Sequence, residues 1–135
     1  MHMQPPSDSP VAPGLFRALM EQAPDAMIYA DRAGLIRFWN AAAQALFGFA
    51  PDEALGQSLD LIIPERFRAA HWTGFDRAMA SGTTRHGGRA MTTRCLHRDG
   101  SPLYVALSFG LLKDASGQVL GALATGRETI RGRDG

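Results

Sequence analysis

From Leu103 to Leu111 every second residue is apolar: Leu103, Val105, Leu107, Phe109 and Leu111. A period of two sustained over that length gives a strand with one face against a core and the other free of it. Arg98-Asp99-Gly100-Ser101 stands just before it as a hairpin turn, and Arg89–His97 before that as the partner strand. Asp114–Gly117 makes a second turn, and Val119–Arg127 reads as the last strand. Three consecutive antiparallel strands therefore close the chain's pattern.

The first half has a different rhythm. Leu15–Gln22 carries Leu15, Phe16, Leu19 and Met20 at helical spacing, and Pro24-Asp25 ends it. Ala26–Ala30 and Leu35–Trp39 are short apolar strands joined by the turn Asp31-Arg32-Ala33-Gly34. Asn40 is suited to cap a helix over Ala41–Phe47, which Gly48 closes. Pro51-Asp52-Glu53 opens one more turn of helix, stopped by Gly56, and Leu59–Ile63 is an apolar connector. Pro64 fits the first turn of a longer helix, Glu65–Ala80, closed by Ser81-Gly82. The order β-β, helices, β-β-β predicts an α+β fold. Its five-stranded antiparallel sheet has short helices packed on one face and a pocket between helix and sheet. Residues 1–14, which include Pro5, Pro6, Pro10 and Pro13, read as a flexible leader, 15–130 as one folded domain and 131–135 as a charged, glycine-rich tail.

Composition narrows the function. Hydrophobic residues are 45% of the chain, enough for a real core. Fourteen Lys and Arg against 13 Asp and Glu leave no basic excess for nucleic acid or a membrane surface. No stretch approaches the roughly 18 apolar residues of a membrane span, and the N-terminus has no apolar signal segment. A single cysteine, Cys95, forms no intrachain disulfide and suits a reducing cytoplasm, the expected location.

His71 is the residue that invites chemistry. On the helix Glu65–Ala80 it falls in a stripe with Phe67, Gly74, Phe75 and Ala78. An imidazole facing the sheet must be hydrogen-bonded, metal-bound or turned to an edge. By spacing alone a structural histidine is the plainer reading, since a lone His is weak evidence for a metal. His71, His86 and His97 are too scattered in sequence for a zinc site. No nucleophile stands beside His71 with Asp76 or Glu65, so a catalytic role is not expected.

The element order and several motifs resemble the PAS domain family. The motifs are Pro24-Asp25-Ala26-Met27, Asp31-Arg32-Ala33-Gly34-Leu35-Ile36, Phe38-Trp39-Asn40-Ala41-Ala42-Ala43 and Leu46-Phe47-Gly48-Phe49. Glu53-Ala54-Leu55-Gly56, Arg98-Asp99-Gly100 and Gly126-Arg127-Glu128-Thr129 complete the set. The resemblance implies a sensory module that binds a small ligand or pairs with itself or an attached effector, and a homodimer through the Leu15–Gln22 helix. No kinase, cyclase or DNA-binding module follows, so either a separate partner carries the output or the chain is an excised piece.

Within the family, Arg68-Ala69-Ala70-His71 through Arg98-Asp99-Gly100 is similar to the haem-binding PAS domains of oxygen-sensor kinases and of a haem-regulated phosphodiesterase. That similarity implies haem b with His71 as proximal ligand, flanked by Phe67 and Phe75, and diatomic gas sensing. Arg77 takes the place of a propionate partner, which Arg85 or His86 would assist. Leu107 and Phe109 match distal-wall positions. The family's distal arginine falls at Met91 here. Arg89, expected two residues back on the same strand face, is one substitute; Met91 as a thioether ligand is another, and a plain core methionine a third. The alternative function is a haem-free PAS module that binds another small molecule or serves as a dimerisation surface.

Overall fold

A computed structural model describes residues 12–130. Two parts of the expected leader and tail, residues 1–11 and 131–135, lie outside the described residues. The helix expected from Leu15 starts two residues earlier: α1 runs Pro13–Glu21, with Pro13 in its first turn where a missing N–H costs nothing. Pro13 and Gly14 therefore belong to α1 rather than to the leader.

Strands β1 (Ala26–Asp31) and β2 (Ile36–Trp39) follow, then α2 (Ala41–Phe47) and α3 (Pro51–Ala54). The apolar connector is a 3-10 helix over Leu59–Ile62, and α4 spans Glu65–Ser81. Strands β3 (Met91–Leu96), β4 (Pro102–Lys113) and β5 (Val119–Glu128) end the domain. The five strands form one antiparallel sheet in the order β2-β1-β5-β4-β3. Strand β3 is shorter than the predicted Arg89–His97. The Arg89 N–H turns back to the His86 carbonyl at 3.1 Å, and His97 belongs to the hairpin turn, its N–H bonded to the Ser101 carbonyl at 3.0 Å.

Asn40 ties the first half together. Its Oδ1 accepts from the Ala43 N–H (3.0 Å) at the start of α2 and from the Met27 N–H (2.9 Å) in β1. Its Nδ2 donates to the carbonyls of Met20 (2.9 Å) and Asp25 (3.0 Å). One fully buried amide thus uses both of its acceptor and both of its donor positions to join α1, β1 and α2. Helix α2 closes on Gly48 in the left-handed conformation, φ 89°.

The register explains the space above the sheet. Ala26 pairs with Gly126, and Gly126 with Leu107; Ile28 pairs with Ala124, and Ala124 with Phe109; Ala30 pairs with Ala122, and Ala122 with Leu111. Inward positions of the central strands β1 and β5 are thus mostly alanine or glycine. Beside them Trp39, Phe47, Ile36 and Val105 fill a dense core. Phe75, Met79 and Val119 form a second, smaller cluster under α4.

Candidate functional site

Where the central strands carry small side chains, a cavity of about 530 Å³ opens between the sheet, the 3-10 helix and α4. That is an ordinary volume for a small-molecule site. Its floor is Ile28, Ala30, Ala122 and Ala124, its sheet wall Cys95, Leu107 and Phe109, and its helical side Leu59, Ile62, Ile63, Phe67, His71 and Phe75. A second cavity of about 330 Å³ adjoins it under the C-terminal half of α4. Gly74 borders this smaller space, and a methyl group built on it would meet nothing within 4 Å.

His71 stands half-buried on the cavity wall, and its Nδ1 is shielded from solvent without a hydrogen-bond partner. An unpartnered buried nitrogen costs free energy unless something else meets it. Trp72 packs edge-on against the imidazole, with ring centroids 4.6 Å apart and planes at 79°, and the Phe75 ring lies 6.0 Å away. The Trp72 Nε1–H is held by Asp60 Oδ1 at 2.8 Å, and Arg68 reaches back to the Ile63 carbonyl at 2.9 Å. This lattice fixes α4 to the 3-10 helix and orients the ring beside it. Burial pushes the His71 pKa down from 6.5, with the Asp60 carboxylate opposing part of the shift. The ring is therefore neutral at neutral pH, the form that donates a lone pair to a metal.

Of the residues singled out in the sequence, Phe67, His71, Phe75, Met91, Leu107 and Phe109 all line the larger cavity. Arg85 lines the smaller one. Arg77 and Arg89 line neither: Arg77 is exposed on the outer side of α4, and Arg89, in the loop ahead of β3, donates from Nε to the His86 carbonyl at 3.3 Å. Arg89 does not share a strand face with Met91, because β3 begins only at Met91. The expected stripe on α4 is also displaced. Phe75 and Met79 are its buried residues, while Phe67 stays 39% exposed, because that part of the helix overhangs the cavity rather than resting on the sheet.

Sequence reasoning missed the floor. Ala30, Ala122 and Ala124 carry no chemistry, and their signal is the repeated small residue at inward positions. It also missed Arg94, whose buried Nε has no hydrogen-bond partner and whose guanidinium lies 5.7 Å over Tyr104. Cys95 faces the cavity as a buried thiol with its pKa pushed up to about 12 by burial, a packing residue rather than a nucleophile. Among the described residues no group of three or more His, Cys, Asp or Glu side chains is placed to hold a metal ion. A metal at this site would need most of its ligands from a group that carries them, as a macrocycle does.

Residues 14–129 match the PAS fold family. The chain is 32% identical over 94 residues to the sensor protein FixL of Bradyrhizobium diazoefficiens, covering 70% of this chain and 19% of that protein. It is 26% identical over 108 residues to the oxygen sensor protein DosP of Escherichia coli K12, covering 80% of this chain and 13% of that protein. The chain thus spans less than a fifth of either relative. Among solved structures, a PAS domain from Colwellia psychrerythraea superposes with a TM-score of 0.73 at 21% identity, covering 84% of this chain and 93% of that one. No helix among the described residues is long and apolar enough to cross a membrane. With the sheet order, the cavity beneath α4 and these matches in agreement, the chain belongs to the PAS family.

Proposed function

We propose that this sensory domain takes b-type haem in the cavity beneath α4, with His71 as the proximal ligand, and reports on a diatomic gas. The observation that carries the reading is the neutral, half-buried His71 with an unpartnered nitrogen on the wall of an apolar cavity of about 530 Å³. Haem, when bound, would supply an iron that takes a ligand from the protein and binds a small neutral gas. The chain's own residues do the rest. Trp72, held by Asp60, keeps the imidazole from turning, and Phe67 and Phe75 flank it along α4. Leu107 and Phe109 keep the facing wall dry, which favours an uncharged diatomic over water. Arg85, at the smaller cavity, replaces Arg77 as the cation placed to meet a propionate. Met91 lines the larger cavity, and its thioether would be a further candidate ligand for the iron. The similarity to a protein named as an oxygen sensor supports the same reading.

Titration with hemin tests it. The wild-type protein is expected to develop a Soret band at one equivalent, and His71→Ala to lose it while keeping its circular dichroism. Equal uptake by both, or uptake by neither, refutes the proximal role. The cavity then belongs to another apolar ligand.

A second reading concerns assembly. Helix α1 buries none of its residues, and Leu15, Phe16, Leu19 and Met20 are 37–61% exposed on it. A short helix with that surface gains most by packing on a copy of itself, so the domain functions as a homodimer through α1. Sedimentation should show a dimer that Phe16→Glu with Leu19→Glu dissociates. A monomer at all accessible concentrations rules this out.

A further inference from the structure

His86 has no task of its own in that reading. Sequence separation sets it 15 positions beyond His71, on the loop after α4, yet both histidines line both cavities. Only Ala70, Phe75, Phe109 and Ala122 share that position with them. These six side chains form the waist between the two spaces, and the two histidines are its only polar members. They reach it from different elements, one rigid and one not.

The loop is built to let His86 move. The His86 carbonyl is held by Arg89, which donates its N–H at 3.1 Å and its Nε at 3.3 Å. The main chain is thereby pinned while the imidazole has no hydrogen bond or ion pair among the described residues. Gly87 and Gly88 follow with φ of 59° and 84°, and neither has an atom within 4 Å of where a side chain would start. Between Asp76 and Asp99 the sequence holds no Asp or Glu, so no carboxylate nearby in sequence draws His86 away.

The geometry points to His86 as a second protein ligand: its imidazole would hold the iron together with His71 when the cavity is loaded and the gas is absent. This rests on the haem reading above. Imidazole nitrogen suits ferric iron better than the thioether of Met91, which lines the larger cavity alone. His86 would then occupy the place an arriving diatomic needs, and the gas would compete with it. Its apparent affinity is lowered by the fraction of molecules in which His86 is bound.

The test compares hemin-loaded wild type, His86→Ala and Met91→Leu by absorption and electron paramagnetic resonance, with carbon monoxide binding to the reduced proteins as a second readout. Expected is a low-spin ferric wild type. His86→Ala becomes high-spin, is returned to low spin by added imidazole, and binds carbon monoxide faster. A high-spin wild type, or a low-spin state that survives His86→Ala, overturns the assignment while leaving haem binding intact; loss of that state in Met91→Leu instead would give the ligand to Met91. Failure of wild type to take up hemin overturns both.

Discussion

On the β2 side of the sheet Ile28, Ile36, Trp39 and Phe47 fill the space up to the helices, each 2% exposed or less. Under α4 the same layer holds Phe75, Met79 and Val119 and is otherwise hollow. The dense side is closed by large side chains meeting at a tilt, with Trp39 and Phe47 centroids 5.6 Å apart. On the hollow side the sheet offers alanines and the helix stands off. The domain thereby separates its two duties in space. One half supplies the stability that lets the other half remain unfilled.

The largest expected effect lies in the dense half. Phe47→Ala should cost about 3–5 kcal/mol in denaturant unfolding, since the ring is wholly buried and its neighbours are tied to the sheet. Phe109→Ala, on the cavity wall and 37% exposed, should cost less than about 1.5 kcal/mol. Equal losses would erase the contrast between the halves.

Asn40→Ala comes next, at about 2–3 kcal/mol, because it removes a helix cap and strands three part-buried backbone groups besides, those of Met27, Met20 and Asp25. Chemical denaturation with an unchanged m-value is the check. Asn40→Asp should recover only the bonds accepted by Oδ1.

A smaller effect should come from the hollow half through pH. Burial holds the folded His71 pKa below 6.5, so the unfolded chain binds a proton more readily than the folded one. Above that value both forms are neutral and the residue contributes no slope. As pH falls below 6.5 the wild type should lose stability, levelling off once the folded imidazole also protonates. His71→Phe should flatten that part of the melting-temperature profile, and an identical profile would place His71 in contact with water. The smallest effect belongs to Arg77→Ala, which lines neither cavity. It should shift stability by no more than about 0.5 kcal/mol and leave hemin retention unchanged. A clear loss of retention would mean α4 turns about its axis on loading.

The dense half is readable in the sequence because its signals are local. Asn40 before Ala41–Phe47, and Gly48 after it, fix the helix between them, and the alternation in β4 fixes which face is inward. His71 is legible because a polar group in an apolar stripe stands out. Arg89 lies outside the cavity lining because strand spacing assigns a face only while the strand lasts, and β3 stops short of it. Arg77, singled out by resemblance and not by spacing, is exposed on α4 and lines neither cavity. The cavity itself leaves almost no mark. Ala30, Ala122 and Ala124 come from distant strands, and only the pairing of β1 with β5 brings their missing volume together. His86 is named only through the resemblance, since a loop that runs into Gly87 and Gly88 has no period from which to infer a direction.

The alanine floor also makes the chamber adjustable. A space hollowed by short side chains can be resized one methyl group at a time, without disturbing the strands that carry them or the packed half beside it. Ala122, Ala124 and Ala30 act as set screws: lengthening any one trims the chamber from below, while His71 and the loop of His86 stay where they are. A scaffold of this kind can change what it admits through isolated substitutions on β1 and β5, keeping its frame intact throughout.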